Sequence, residues 1–141
     1  MSIHLLFIFI LGMSTQPPAS LQDWLANEQW KHRVLLIYAP SKSSPVIQGQ
    51  RTGLASNPAG LKERDLIVRE LFADELSKED RAFLQQTLRV LDDTFQVLLI
   101  GKDGGVKARQ ASPIAVKVLF DTIDSMPMRQ DETRRRKQNS G

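Results

Sequence analysis

The apolar positions of this chain fall into short continuous runs separated by stretches of helical periodicity. Val34-Leu35-Leu36-Ile37-Tyr38-Ala39 is apolar throughout and ends at Pro40, the pattern of a central strand covered on both faces. Within Phe95 to Arg109, Val97 to Ile100 is a second such run. Asp103-Gly104 then supplies residues suited to positive φ, and Val106-Lys107-Ala108-Arg109 returns with alternating polarity. That order predicts a hairpin whose outer strand has one solvated face. Asp65 to Leu71 reads as a further strand.

The helices announce themselves by their caps. Ser20 to Lys31 puts Leu21, Trp24 and Leu25 on one side, and Ser20-Leu21-Gln22-Asp23 matches a variant capping box. Ser77-Lys78-Glu79-Asp80 opens a second helix, predicted to run to about Leu91 with Phe83, Leu84, Leu88 and Leu91 at helical spacing. A third is expected to start at Ser112 as cap with Pro113 in its first position. Val116, Leu119, Phe120 and Ile123 form its stripe, and Met126-Pro127 ends it. Residues 46 to 62 are ambiguous. Gly49, Gly53, Pro58 and Gly60 weaken a helix there, yet two parallel strands need a crossover between them.

After the N-terminal helix the order is therefore βαβ-α-ββ-α. Right-handed crossover rules make the first two strands parallel neighbours, and the hairpin joins the open side of the first. This is the order of an α/β, thioredoxin-like fold: a central four-stranded mixed sheet flanked by helices. The 141 residues suit one domain, with 41% hydrophobic and 25% charged residues. Such a chain can bury a core without metal or disulfide staples.

Charge and the chain ends divide the sequence further. Ile3 to Met13 is apolar apart from His4. The run fits the central region of a secretory signal and is too short for an ordinary membrane span. It lacks a preceding Lys or Arg, so a buried strand or helix at the start of the domain is the alternative. The signal reading is favoured because loop-like Ser14-Thr15-Gln16-Pro17-Pro18 follows. Cleavage at Gly12-Met13-Ser14 keeps the Ser20 cap, whereas cleavage after Ser20 removes it. From Met128 onward, Arg129, Arg134, Arg135, Arg136 and Lys137 stand against Asp131 and Glu132, so this tail carries the whole net charge of +3. The body has no basic excess of the kind that marks a nucleic-acid-binding domain. The expected organisation is a signal peptide and leader over 1–20, a thioredoxin-like domain over 21–127 and a disordered charged tail over 128–141.

Four motifs carry a family resemblance. They are Leu36-Ile37-Tyr38-Ala39-Pro40-Ser41, Glu63-Arg64-Asp65-Leu66-Ile67-Val68, Leu98 to Lys107 (LLIGKDGGVK) and Leu119 to Arg129 (LFDTIDSMPMR). Together they resemble the domain of unknown function 4174 family over roughly residues 21 to 131. The resemblance implies a thioredoxin- or peroxiredoxin-like fold. It also implies an extracytoplasmic setting, since the family occurs in bacterial exported proteins and in vertebrate extracellular proteins with sushi repeats. It brings no established activity and no catalytic residues.

The chemistry is sparse. With no cysteine in the chain, thiol catalysis, disulfides, iron–sulfur ligation and cysteine-based zinc sites are excluded. In redox-active relatives of this fold the thiol follows the first core strand, at a helix N-terminus. Here that place is Pro40-Ser41-Lys42-Ser43-Ser44-Pro45. Ser41, Lys42, Ser43 and Ser44 could converge with helix N–H groups on an anion, or the loop could be an ordinary one with Ser as cap. His32 precedes the first core strand and lies roughly 20 Å from this loop, too far to serve a Ser nucleophile. Asp92-Asp93-Thr94-Phe95 stands where such folds place a cis-proline. Adjacent acids are a weak metal signal, and a solvated helix end explains them. Arg134, Arg135, Arg136 and Lys137 could touch a polyanion, or could simply be solvated. No cofactor is expected. The favoured reading is a secreted or periplasmic, non-catalytic binding module for a protein or an envelope or matrix component, with no specific nucleic acid and no membrane span in the mature chain. The alternatives are a non-thiol enzyme or anion binder built on the Ser41–Ser44 loop, and a polyanion binder acting through the tail.

Overall fold

The computed structural model describes residues 19–141. The expected signal segment, and any cleavage within it, falls on residues 1–18 and lies outside the described residues. Helix α1 (Leu21–Glu28) is followed by β1 (Arg33–Ala39), α2 (Pro45–Ala55), α3 (Pro58–Glu63) and β2 (Leu66–Phe72). After a short 3-10 turn at Ala73–Glu75 come α4 (Lys78–Gln86), β3 (Gln96–Ile100), β4 (Val106–Gln110), α5 (Val116–Asp124) and α6 (Pro127–Asn139).

The sheet has four strands in the order β2-β1-β3-β4. β1 is parallel to β2, with Arg33 opposite Leu66 and Ala39 opposite Phe72. It is antiparallel to β3, with Leu36 opposite Leu98. The mixed four-stranded sheet predicted from the chain order is therefore present. Every residue of β1 is buried, and strand alternation sends its side chains to two cores. Leu35, Ile37 and Ala39 pack with Ile47 and Leu54 of α2 and Leu119 and Ile123 of α5. Val34, Leu36 and Tyr38 pack with Leu21 of α1, Leu84 of α4, Leu88 and Val90. The Tyr38 hydroxyl donates to the Asp92 carbonyl at 2.8 Å. Burial and the neighbouring Asp92 push this phenol up to about 12. Asp92 is thus engaged at the base of the sheet, with Arg81 3.4 Å away.

Local signals explain most element starts. The Ser20 and Ser77 hydroxyls accept from the N–H groups of Asp23 and Asp80, at 3.1 and 3.0 Å. Residues 46 to 62 prove to be helical in two pieces. Pro45 and Pro58 each sit in the first turn, where the missing N–H costs nothing. Gly60 is not a breaker but a place of close approach: a Cβ there would lie 2.5 Å from the Phe120 ring. In the hairpin, Gly104 alone takes positive φ, at 85°, and Asp103 does not share it.

Three expectations are corrected. α4 ends at Gln86 rather than near Leu91, because Arg89 turns to φ 57° and Arg109 from β4 donates to the Leu88 and Arg89 carbonyls at 2.6 and 2.9 Å. The last core helix starts at Val116, with Ala115 as its cap, rather than at Pro113. The buried Gln50 amide takes both backbone groups of Ile114, accepting from N–H at 2.7 Å and donating to the carbonyl at 3.1 Å. The tail expected to be disordered from Met128 instead forms α6 through Asn139, for electrostatic reasons set out below.

Candidate functional site

The Pro40–Pro45 loop sits where predicted, between the C-terminal end of β1 and the first turn of α2. Its polar groups do not gather into one cradle. Ser41 and Ser43 hydroxyls share a hydrogen bond of 2.9 Å. Lys42 Nζ lies 2.7 Å from Glu75 and 5.7 Å above the Phe72 ring. Ser44 precedes α2, but its side chain makes no cap hydrogen bond. The lysine charge is thus met by a carboxylate from the loop after β2.

The densest polar arrangement lies at the opposite end of the sheet. Arg33 begins β1 and is 1% exposed. Its guanidinium donates to Glu132 of α6 at 3.2 and 3.3 Å and to the Arg64 carbonyl at 2.9 Å. Lys102, just past β3, reaches both Glu132 at 2.8 Å and Asp65 at 2.9 Å. Arg129, 3% exposed, holds Asp124 at 3.1 Å and Glu63 at 2.9 Å. Arg64 completes the set with two bonds to Asp124, at 3.0 and 2.7 Å, and stacks 4.1 Å over Phe120. Burial pushes the Glu132, Asp65 and Asp124 carboxyls up. The cations around them outweigh it and hold all three below their ordinary values.

This network explains α6. Its sequence has almost no apolar face, so periodicity gave no sign of a docked helix. Arg129 and Glu132 sit three apart on one side and lock it to the sheet through ions instead. The expected site residues divide accordingly. Arg134 pairs with Asp131 at 2.5 Å, and Arg136 donates to the Glu63 carbonyl at 2.7 Å, while Arg135 stays exposed. The sequence signal for the network lay in the resemblance motifs, whose Glu63-Arg64-Asp65, Lys102 and Asp124…Arg129 residues converge here.

The charges at this end balance within the domain. Each cation already faces a carboxylate, and among the described residues no cluster of His, Asp and Glu stands ready for a metal ion. No helix among them is long and apolar enough to cross a membrane.

The sheet order, the two helical layers and the loop after β1 define a thioredoxin-like α/β domain. Solved structures bear this out. The reduced 2-Cys peroxiredoxin of Plasmodium vivax superposes with a TM-score of 0.57 at 16% identity, covering 76% of this chain and 84% of that one. Mycobacterium tuberculosis AhpC gives 0.53 at 9%, covering 71% and 76%. At such identities the likeness is one of fold. Residues 24–132 match the family described as Domain of unknown function (DUF4174), and the chain belongs to that family. It is 28% identical over 139 residues to Coiled-coil domain-containing protein 80 of Danio rerio, covering 82% of this chain and 16% of that protein. With Sushi repeat-containing protein SRPX2 of Xenopus laevis it shares 33% identity over 106 residues, covering 67% of this chain and 23% of that one. The chain thus spans less than a quarter of the length of either relative.

Proposed function

We propose that this domain is a non-catalytic binding module working outside the cytoplasm, in a secreted or periplasmic setting. One observation carries the reading. The loop after β1, where redox enzymes of this fold hold their thiol, contains serines and a lysine engaged by Glu75, in a chain without cysteine. Hydroxyls cannot exchange disulfides or reduce peroxide by the thiolate route. The likeness to a sushi-repeat protein supports the setting and a partner of protein or matrix nature. Purified residues 19–141 are expected to give no turnover of hydrogen peroxide or of a disulfide substrate above buffer. A purified envelope or matrix component should bind them saturably in calorimetry. Enzymatic turnover that survives repurification would sink the proposal.

A second reading concerns α6. Its folding gives Arg134, Arg135 and Lys137 a fixed helical spacing, which favours contact with an extended polyanion over the diffuse attraction of a loose tail. Changing these three to Gln should remove salt-sensitive retention on a sulfated-polysaccharide column while leaving the Glu132 and Arg129 contacts intact. Retention unchanged by the triple substitution rejects it. The Ser41–Ser44 loop remains the place to look for a small anion, and its Lys42 would have to leave Glu75 to serve one.

A further inference from the structure

One cavity has no part in the ion network or in the loop after β1. It lies between α1, α4 and the N-terminal end of β1 and holds about 160 Å³. Leu25, Val34, Phe83, Leu88 and Ile100 form its apolar wall. It is a half-open cleft rather than a sealed void, and its volume is close to that of an apolar cavity of about 150 Å³ known to accept benzene.

One wall is not apolar. His32 and Glu28 line the same cavity, and His32 Nδ1 lies 2.6 Å from Glu28 Oε2. The backbone brings them together. Trp30 takes φ 68° and is tied by its N–H to the Lys102 carbonyl at 2.6 Å. Positive φ is costly for so bulky a residue, and it hooks the chain so that the His32 N–H reaches the Glu28 carbonyl at 3.0 Å. The imidazole is thereby held over Glu28. In the neutral ring Nδ1–H donates to that carboxylate, and Nε2 carries the free lone pair. Among the described residues Nε2 has no partner. The His32 side chain is 41% exposed, whereas Val34 and Ile100 are buried, so the ring stands at the mouth and the apolar wall lies deeper.

This geometry selects a ligand. The interior suits one six-membered ring. The mouth offers an acceptor. An anionic head would meet the Glu28 carboxylate. We propose that the cavity binds a small phenol, ring inward, with its hydroxyl donating to His32 Nε2. The site goes beyond the binding-module reading and does not depend on it, since it is a small-molecule site at a different place in the fold.

The probes are phenol and benzene, added to the folded chain at about pH 8, with His32 watched through its imidazole-ring nitrogen signals in ¹⁵N NMR. The chain has only two histidines, so the spectrum is simple. Phenol should saturate, shift the His32 Nε2 resonance and bind roughly three- to tenfold tighter than benzene, the worth of one hydrogen bond. His32→Leu should bring the two affinities together, and Leu25→Phe, which fills the cavity from its half-buried edge, should abolish both. If either variant fails to fold, the wild-type Nε2 shift and the phenol-to-benzene ratio still decide. Equal affinities in the wild type, a His32 signal unmoved at saturation, or no saturable binding would each overturn the proposal.

Discussion

Replacing Glu132 by Ala is expected to lower the unfolding free energy by about 3 kcal/mol, the cost of stripping a buried ion pair of one member. Arg33 would remain almost wholly enclosed, with one backbone carbonyl left to accept from it. Lys102 would keep Asp65 alone. Because Glu132 ties α6 to the sheet, hydrogen exchange along residues 127 to 139 should accelerate in the variant far more than in β1 or β3. The double change Arg33→Met with Glu132→Leu should recover more than half of the loss, since an apolar pair of similar volume tolerates burial. Denaturant unfolding followed by tryptophan emission measures both. A loss under about 1 kcal/mol for Glu132→Ala would show that the pair is no better than a surface bridge.

Acid should release the same helix. Asp65, Asp124 and Glu132 are held below their ordinary carboxylate values in the folded state. A carboxyl depressed in this way stabilises the fold above its unfolded value, about 4 for Asp and Glu. That contribution is lost as pH falls through the folded values. These groups therefore leave stability flat between about pH 6 and 8 and erode it below about pH 4.5. The melting temperature is expected to drop by on the order of 5–10 °C by about pH 3.5. Glu132→Gln should start lower and fall less steeply. Calorimetric melts across this range give the comparison, and a variant whose curve parallels the wild type would rule out Glu132 as a main contributor.

How much of this was legible in the sequence depends on how local the cause was. β1 and β3 follow from unbroken apolar runs, and α1 and α4 begin at serines whose hydroxyls cap them. Those causes act within a few residues. The start of α5 was misplaced because Gln50, 64 positions away, takes the backbone of Ile114. The end of α4 was misplaced because Arg109 reaches its last carbonyls from another strand. α6 was missed altogether, since its stability comes from Arg33, Lys102 and Glu63 rather than from any pattern of its own. The candidate site followed the same rule. The loop after β1 could be found by position along the chain, whereas the His32–Glu28 cavity needs the hook at Trp30 and the packing of α4 to exist.

The bond between Arg33 and Glu132 joins positions 99 residues apart. β1, β2 and the hairpin can pair without Glu132, and until α6 docks the sheet carries Arg33 without its counter-charge. Closure of this long loop therefore requires α6 to reach a sheet that is already paired. A chain interrupted before α6 would hold its strands together yet keep opening at one end, and a protease that samples open states would remove it sooner than a chain that carries α6.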